Sequence, residues 1–216
     1  DTTPAELTVG RPCYYDGAVS SKRLFIAVAL SDRAVELLGE LQSAAKRRDS
    51  EGALRWVAPR NLHVTLHFLG ETEEARIPQL VERLEQALAA LTKDEIRLAE
   101  AGAFPSPRKP RVLWVGIEDP TDILRRLHEA LTTPLEELGF SLDSRPYHPH
   151  VTVGYARKRA QPRAVTRAYG EFLAAAAELL RDRAATIPVN RVDLVESTLT
   201  PEGPRYRRIF QGELRT

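Results

Sequence analysis

The chain has 216 residues and a formal net charge of +1, and 43% of it is hydrophobic, which suits one large domain or two closely packed lobes. No apolar run approaches the roughly 18 residues that a membrane helix needs, and the first residues lack a signal-peptide pattern, so we expect a cytoplasmic protein without a membrane partner. A single cysteine, Cys13, excludes an internal disulfide and a cysteine-based metal cluster.

Residues 1–21 carry no strong helix or strand pattern, and we interpret them as an N-terminal extension or a cloning remnant ahead of a single domain at 22–216. Apolar periodicity and short runs of strand formers predict the following elements: strand 24–30, helix 33–48, strands 56–57 and 62–69, helix 73–91, strands 95–102 and 111–118, helix 122–138, strand 149–156, helix 164–184, and strands 189–195 and 206–214. Strands and helices alternate in two comparable halves without a low-complexity linker, which indicates an α+β fold of two packed lobes.

Three details of this assignment depend on individual residues. Ser31 or Asp32 is predicted to cap the first helix. Gly70 is predicted to end one strand, and Thr72 to begin the helix that follows it. The proline-rich segment 103–110 is predicted to be a loop between two strands.

The predicted strand at 62–69 alternates between two faces. Successive side chains of a strand point to opposite sides, so one face is expected to be apolar and the other polar. The predicted core face carries Val64, Leu66 and Phe68, and the predicted polar face carries His63, Thr65 and His67.

Two strands carry the same unit, His63-Val64-Thr65 and His150-Val151-Thr152. Because residues i and i+2 of a strand project together, each unit sets an imidazole beside a hydroxyl. Two imidazoles can supply one proton acceptor and one proton donor near neutral pH, and a threonine hydroxyl can donate to a phosphate oxygen. A single unit of this kind is usually an ordinary strand pair, but its repetition in both halves favours a phosphodiester site.

A metal site is the alternative interpretation of the histidines. By strand alternation His67 is expected to share a face with His63, and His148 with His150, so that imidazoles from two strands could bind a divalent ion. No carboxylate shares these faces and threonine is not a typical zinc ligand, so we predict no metal. The fifth histidine, His128, lies on a charged helix face and is predicted to be solvated.

The chain resembles the two-histidine (2H) phosphoesterase superfamily, and within it the RNA 2′,3′-cyclic phosphodiesterases, also called 2′-5′ RNA ligases. The resemblance extends from about Arg23 to Leu214. The segments that carry it are HVTLHFLG, PHVTV, RLFIAV, AGAFPSPRKPRVLWVGI and VDLVESTLTPEGPRYRRI. It implies an α+β, bilobal, pseudo-twofold fold in which two antiparallel sheets flank a central cleft and helices lie outside.

The resemblance also implies the roles of the repeated units. His63 and His150 match the two catalytic histidines, and Thr65 and Thr152 match the phosphate-binding threonines. We assign His63 as the general acid and His150 as the general base, without a cofactor. The expected substrate is an RNA or nucleotide that ends in a 2′,3′-cyclic phosphate, which water opens to a 2′-phosphate, and the protein is expected to be a monomer.

The second motif departs from the pattern of many relatives, which place an arginine five residues after the histidine. Tyr155 stands there in this chain, and Arg157, two residues further on, is predicted to take the phosphate-facing role. Four aromatic residues near the motifs are candidates for stacking on a nucleobase: Phe68, Trp56, Tyr147 and Tyr155.

Other functions remain open from the sequence. The same two histidines would serve 2′-5′ RNA ligation or hydrolysis of 2′-5′ bonds. A protein of another class, a non-catalytic module that binds RNA ends, would use the same cleft. A metal-dependent hydrolase built on four histidines would instead bind a stoichiometric metal ion.

Overall fold

A computed structural model describes residues 20–181 and 185–216. Most of the predicted N-terminal extension, including Cys13, lies outside the described residues. Within them the chain forms nine strands and four α-helices: β1 Ser21–Ala29, α1 Asp32–Arg48, β2 Leu54–Trp56, β3 His63–Glu73, α2 Ile77–Leu88, β4 Asp94–Ser106, β5 Lys109–Glu118, α3 Ile123–Glu137, β6 His150–Ala156, α4 Pro162–Leu180, β7 Thr186–Val189, β8 Arg191–Thr200 and β9 Gly203–Glu213. None of the described helices is both long and apolar enough to span a membrane.

The predicted helices and strands are largely confirmed, and Ser31 is the cap of α1. Its hydroxyl accepts a hydrogen bond from the backbone N–H of Ala34 at 3.3 Å. The predicted strand 189–195 is instead two strands, β7 and β8, separated by Asn190. They separate because β7 pairs with β4 and β8 pairs with β1, at opposite ends of the strand order.

The prediction that Gly70 ends a strand and Thr72 starts a helix is wrong. Strand β3 continues through both residues, because β1 supplies a partner for the extended backbone: Leu24 pairs with Gly70 and Lys22 pairs with Thr72. Thr72 is fully buried, and its hydroxyl donates to the Gly70 carbonyl. A short 3-10 turn then connects β3 to α2.

The predicted proline-rich loop at 103–110 is mostly strand. Strands β4 and β5 form a long hairpin that turns between Ser106 and Lys109. Pro105 lies opposite Pro110 near this turn. Proline lacks the backbone N–H, so it is tolerated at the end of a hairpin where a ladder bond is missing.

The strands are all antiparallel to their neighbours, in the order β7-β4-β5-β6-β3-β1-β8-β9, with β2 paired to β6. The predicted α+β class is therefore confirmed, but the two sheets expected on either side of the cleft are joined into one. The junction between β3 and β6 is a single residue pair, Val64 with Val151.

The helices cover one face of this sheet in two pairs, α1 with α4 and α2 with α3. Leucines along α1, α2 and α3 and Phe172 of α4 are buried in one continuous core with the inward-facing strand residues. Phe25, Ala27 and Val195 form a separate small cluster, onto which Tyr206 packs. Strand alternation places this cluster on the opposite face, which also carries the two His-x-Thr units. We call it the motif face.

An extra residue after each motif changes which side chains reach the motif face. In β3, Thr65 and His67 pair with consecutive residues of β1, so Leu66 is a bulge. In β6, Thr152 and Gly154 pair with consecutive residues of β5, so Val153 is a bulge. Each bulge follows its motif threonine directly, and the alternation of faces reverses beyond it.

The reversal corrects the predicted faces of β3. His67 was expected on the polar face but is 5% exposed, whereas Phe68 was expected in the core but is 64% exposed. The bulge at Leu66 is the physical cause, because one inserted residue exchanges the two faces of the strand that follows.

Candidate active site

The single pair between Val64 and Val151 positions both motifs. Both valine side chains are fully buried in the core, so the residues on either side of each valine project onto the motif face. Antiparallel pairing at this point sets His63 beside Thr152 and His150 beside Thr65. The two histidines therefore occupy diagonal positions, with about 7–8 Å between their strand positions.

Each histidine is held by the backbone residue two positions before it. His63 Nδ1 lies 2.7 Å from the Asn61 carbonyl oxygen, and His150 Nδ1 lies 2.7 Å from the His148 carbonyl oxygen. A carbonyl oxygen only accepts, so each Nδ1 carries the proton and donates it. The neutral rings are left with an unprotonated Nε2, which is the nitrogen that exchanges protons with a substrate.

Aromatic rings pack against both imidazoles. Phe25 lies 4.8 Å and Tyr206 5.4 Å from the His63 ring centre. Phe104 lies 5.0 Å and Trp114 6.3 Å from the His150 ring centre. Each histidine thus has one face or edge against apolar surface, which fixes the ring plane and removes water from it.

This packing lowers the pKa of both histidines. For His63 and for His150, burial is the main cause, and the hydrogen bond to the backbone carbonyl acts in the opposite direction. Charge on His150 lowers the pKa of His63 further, and charge on His148 does the same for His150. Both rings are therefore mainly neutral at pH 7 in the free protein.

The two motif threonines are half-buried on the same face. Within the described ranges, no protein group hydrogen-bonds to the side chain of Thr65 or Thr152, so both hydroxyls are available to a ligand. Tyr147, which sequence reasoning offered as a stacking residue, instead donates from its hydroxyl to the Thr65 carbonyl at 3.1 Å. This bond ties the segment before the second motif to the first motif.

The four-histidine metal site is not assembled. His148 does lie beside His150, with 6.0 Å between ring centres, but His67 is turned into the core. There its Nε2 contacts the His128 carbonyl at 2.9 Å, and its ring stacks on His128 at 4.1 Å. Among the described residues no three histidine, cysteine or acidic side chains are grouped as metal ligands.

The prediction that His128 is solvated is also wrong. Its ring is half-buried between His67 and Tyr147, with 4.1 Å and 4.3 Å between ring centres. A residue on a charged helix face is still covered when a neighbouring strand and loop pack against it. The sequence of the helix alone does not show that contact.

Arg157, predicted to face the phosphate, lies just beyond β6 and binds the backbone of β2 and the residue before it. Its backbone N–H donates to the Ala53 carbonyl at 2.9 Å, and its Nε donates to the Leu54 carbonyl at 3.1 Å. It lines a cavity of about 400 Å³ with Lys46 and Trp56 among the other lining residues. Its role toward a phosphate stays a prediction.

Sequence reasoning missed the residues that support the histidines from other strands. Asn61 accepts from His63 through its carbonyl and donates from its buried side chain to the Pro204 carbonyl at 2.8 Å. Phe25 and Tyr206 are far from His63 in the sequence. Only the strand order, which the sequence pattern does not specify, brings them together.

Known proteins are similar to this chain over most of its length. The model of the 2′-5′ RNA ligase superfamily matches residues 30–199. An RNA 2′,3′-cyclic phosphodiesterase of Archaeoglobus fulgidus is 32% identical over 192 residues, which are 88% of this chain and 99% of that protein.

Solved structures share the fold. A crystal structure of a Thermus thermophilus protein has a TM-score of 0.70 at 27% identity, covering 89% of this chain and 98% of that one. The E. coli LigT structure with 3′-AMP has a TM-score of 0.67 at 23% identity, covering 91% and 100%, which is a likeness of fold. The resemblance inferred from the motifs is confirmed, and the chain belongs to the 2′-5′ RNA ligase superfamily, the 2H phosphoesterases.

Proposed function

We propose that this protein hydrolyses the 2′,3′-cyclic phosphate at an RNA or nucleotide end to a 2′-phosphate. The observation that carries the proposal is the pair of histidines on one sheet face, each with Nδ1 bound to a carbonyl and Nε2 free to exchange a proton. Relatives named RNA 2′,3′-cyclic phosphodiesterase, about 30% identical over most of the chain, support the substrate class.

The proposed reaction is an in-line displacement at phosphorus. His150 accepts a proton from water as the water oxygen bonds to phosphorus, and His63 in its protonated form donates its Nε2 proton to O3′ as the P–O3′ bond breaks. The products are a 2′-phosphate and a 3′-hydroxyl. The diagonal arrangement of the histidines suits this chemistry, because attacking and leaving oxygens lie on opposite sides of phosphorus.

Thr65 and Thr152 are proposed to hold the phosphoryl oxygens. Each lies beside the histidine of the other motif, so a phosphate between the histidines meets one hydroxyl from each strand. These hydrogen bonds position phosphorus and stabilise charge on its oxygens, while proton transfer stays with the histidines.

The test uses EDTA-treated protein with adenosine 2′,3′-cyclic phosphate and with a short RNA bearing the same end. Phosphorus NMR identifies the product, and we expect a 2′-phosphate. His63→Ala and His150→Ala should each lower kcat by about 10²–10⁴-fold, the usual contribution of a general acid or base. Full activity in either variant would refute the assignment, and turnover only after metal addition would favour a metal site.

Ligation is the second candidate, because the matching family model is that of the 2′-5′ RNA ligases. A 5′-hydroxyl in place of water would attack the same phosphorus and form a 2′-5′ linkage. Adding a 5′-hydroxyl RNA to the assay separates the two reactions, since ligation gives a longer strand and hydrolysis does not. Binding without any turnover would indicate an RNA-end binding module.

A further inference from the structure

The bulge after the second motif brings Tyr155 to the motif face. A Cβ atom added to Gly154 would lie 3.0 Å from the ring of Trp56, and Trp56 packs against the buried Phe172 of α4. Gly154 therefore faces the core, and its neighbour Tyr155 faces the other way. Phe68, the corresponding residue after the first motif, reaches the same face in the same manner.

Arg55 stacks on this tyrosine. The two residues are paired across β2 and β6, and the Arg55 guanidinium carbon lies 5.1 Å from the Tyr155 ring centre. Leu54 is buried and Trp56 packs toward α4, so alternation puts the exposed Arg55 on the motif face. No acidic side chain among the described residues forms an ion pair with it, and its charge is available.

The stack belongs to the same surface as the first motif. Burial raises the pKa of the Tyr206 hydroxyl, and Tyr155 is near enough to raise it further. Tyr206 in turn contacts the ring of His63. Tyr155 is three residues from Thr152 along β6, or roughly 10 Å, which is too far for contact with a phosphate held at the motifs.

We propose that the Arg55–Tyr155 stack binds the RNA strand next to its terminal cyclic phosphate. A guanidinium plane supported by an aromatic ring offers a flat, cationic surface, which suits stacking of an unpaired base and attraction of a backbone phosphate. The ligand is single-stranded RNA of at least two nucleotides. The inference rests on the proposed function and adds a preference for RNA chains over mononucleotides.

The experiment compares kcat/KM for adenosine 2′,3′-cyclic phosphate with that for a short RNA ending in the same nucleotide. Arg55→Ala should lower the RNA-to-mononucleotide ratio by about tenfold, mainly through a higher KM for RNA, as expected for loss of one stacked base. Arg55→Lys keeps the charge without the planar group, and it should lower the RNA-to-mononucleotide ratio by less than Arg55→Ala does. Arg47→Ala, which removes an exposed arginine from the last turn of α1, is the matched control and should keep the ratio.

Either of two results for Arg55→Ala would overturn the proposal. The first is equal losses on both substrates for Arg55→Ala, and the second is an unchanged ratio. A lower ratio in Arg157→Ala but not in Arg55→Ala would also overturn it, because the RNA contact would then lie at Arg157.

A binding measurement distinguishes failure of the stack from failure of the proposed function. The probe is a fluorescent RNA that ends in a stable 3′-phosphate, and anisotropy reports its binding. If the wild type cleaves neither substrate, the proposed function fails. A tenfold weaker RNA affinity in Arg55→Ala, with a shallower dependence on salt, would still support the stack. Equal affinity and an equal salt dependence of the two proteins would refute it.

Discussion

At the scale of single residues, the backbone before each motif fixes the tautomer of its histidine. His63 and His150 donate the same hydrogen bond to the same relative position, two residues upstream, although the loops before them share only a proline four residues upstream, Pro59 and Pro146. The spacing of each motif was predictable, since alternation alone sets histidine and threonine together. The tautomer of each histidine was not predictable, because it depends on a backbone carbonyl whose direction follows from the turn before the strand.

The lowered pKa values of His63 and His150 predict the pH dependence of the proposed reaction. One ring must be protonated and the other neutral, and burial lowers both pKa values below 6.5 in the free protein. We therefore expect kcat/KM to fall as pH rises above about 6.5, because the acid loses its proton. Initial rates at subsaturating substrate between pH 4.5 and 8.5, at constant ionic strength, provide the test, and a maximum at pH 8 would contradict this account.

At the scale of elements, the β4–β5 hairpin supports His150 through Trp114. Gly102 of β4 lies opposite Trp114 of β5, and a Cβ atom at Gly102 would lie 2.3 Å from the indole ring. With that Cβ atom present, the indole ring could not keep its position, because it also packs against the ring of His148, with 4.8 Å between ring centres. The glycine is thus needed for close approach of the ring.

Gly102→Ala should therefore displace Trp114 and disturb the ring beside His150. We expect a loss of about 1–3 kcal/mol in the free energy of unfolding, typical of overpacking, and a lower kcat. Gly170→Ala in α4 is the matched control, because nothing lies within 4 Å of its added Cβ atom. In that helix alanine should stabilise by about 0.5–1 kcal/mol. Urea unfolding and initial rates measure both, and an unchanged Gly102→Ala protein would contradict the proposed packing.

Some features of the helices and strands could not be predicted from the sequence. Helix and strand positions follow from local periodicity, and most of them were predicted. The faces of β3 beyond Leu66 were not, because a bulge is set by the register with β1, which is a property of two strands together. The same holds for the helix predicted to start at Thr72, where pairing with β1 overrides the local cap signal.

At the scale of the whole molecule, buried neutral histidines make stability depend on pH. Burial lowers the pKa of His67 to about 4, and the contact with the His128 carbonyl offsets only part of this. Burial also lowers the pKa of His128. A lowered folded-state pKa means that the unfolded chain binds more protons below pH 6.5, so stability is present above that pH and is lost as pH falls toward 4.

We expect His67 alone to account for about 1–2 kcal/mol of lost unfolding free energy between pH 7 and pH 5. His67→Gln keeps a donor for the His128 carbonyl but does not titrate. The variant is expected to be less stable at pH 7 and to lose less stability on acidification than the wild type. Urea unfolding at both pH values measures the two slopes, and equal slopes would show that His67 does not carry this effect.

The bulges at Leu66 and Val153 act through strand pairing and not through the side chains of the bulged residues. Deleting Leu66 would leave His67 and Phe68 on their present sides of the sheet, because Thr65 and His67 already pair with consecutive residues of β1. Regular pairing of Leu66 with β1 would instead turn His67 outward, onto the face of His63, and Phe68 inward. The His67 imidazole would then share the motif face with His63 and His150. A single bulged residue thus keeps the His67 imidazole off the face that holds the proposed proton-transfer pair.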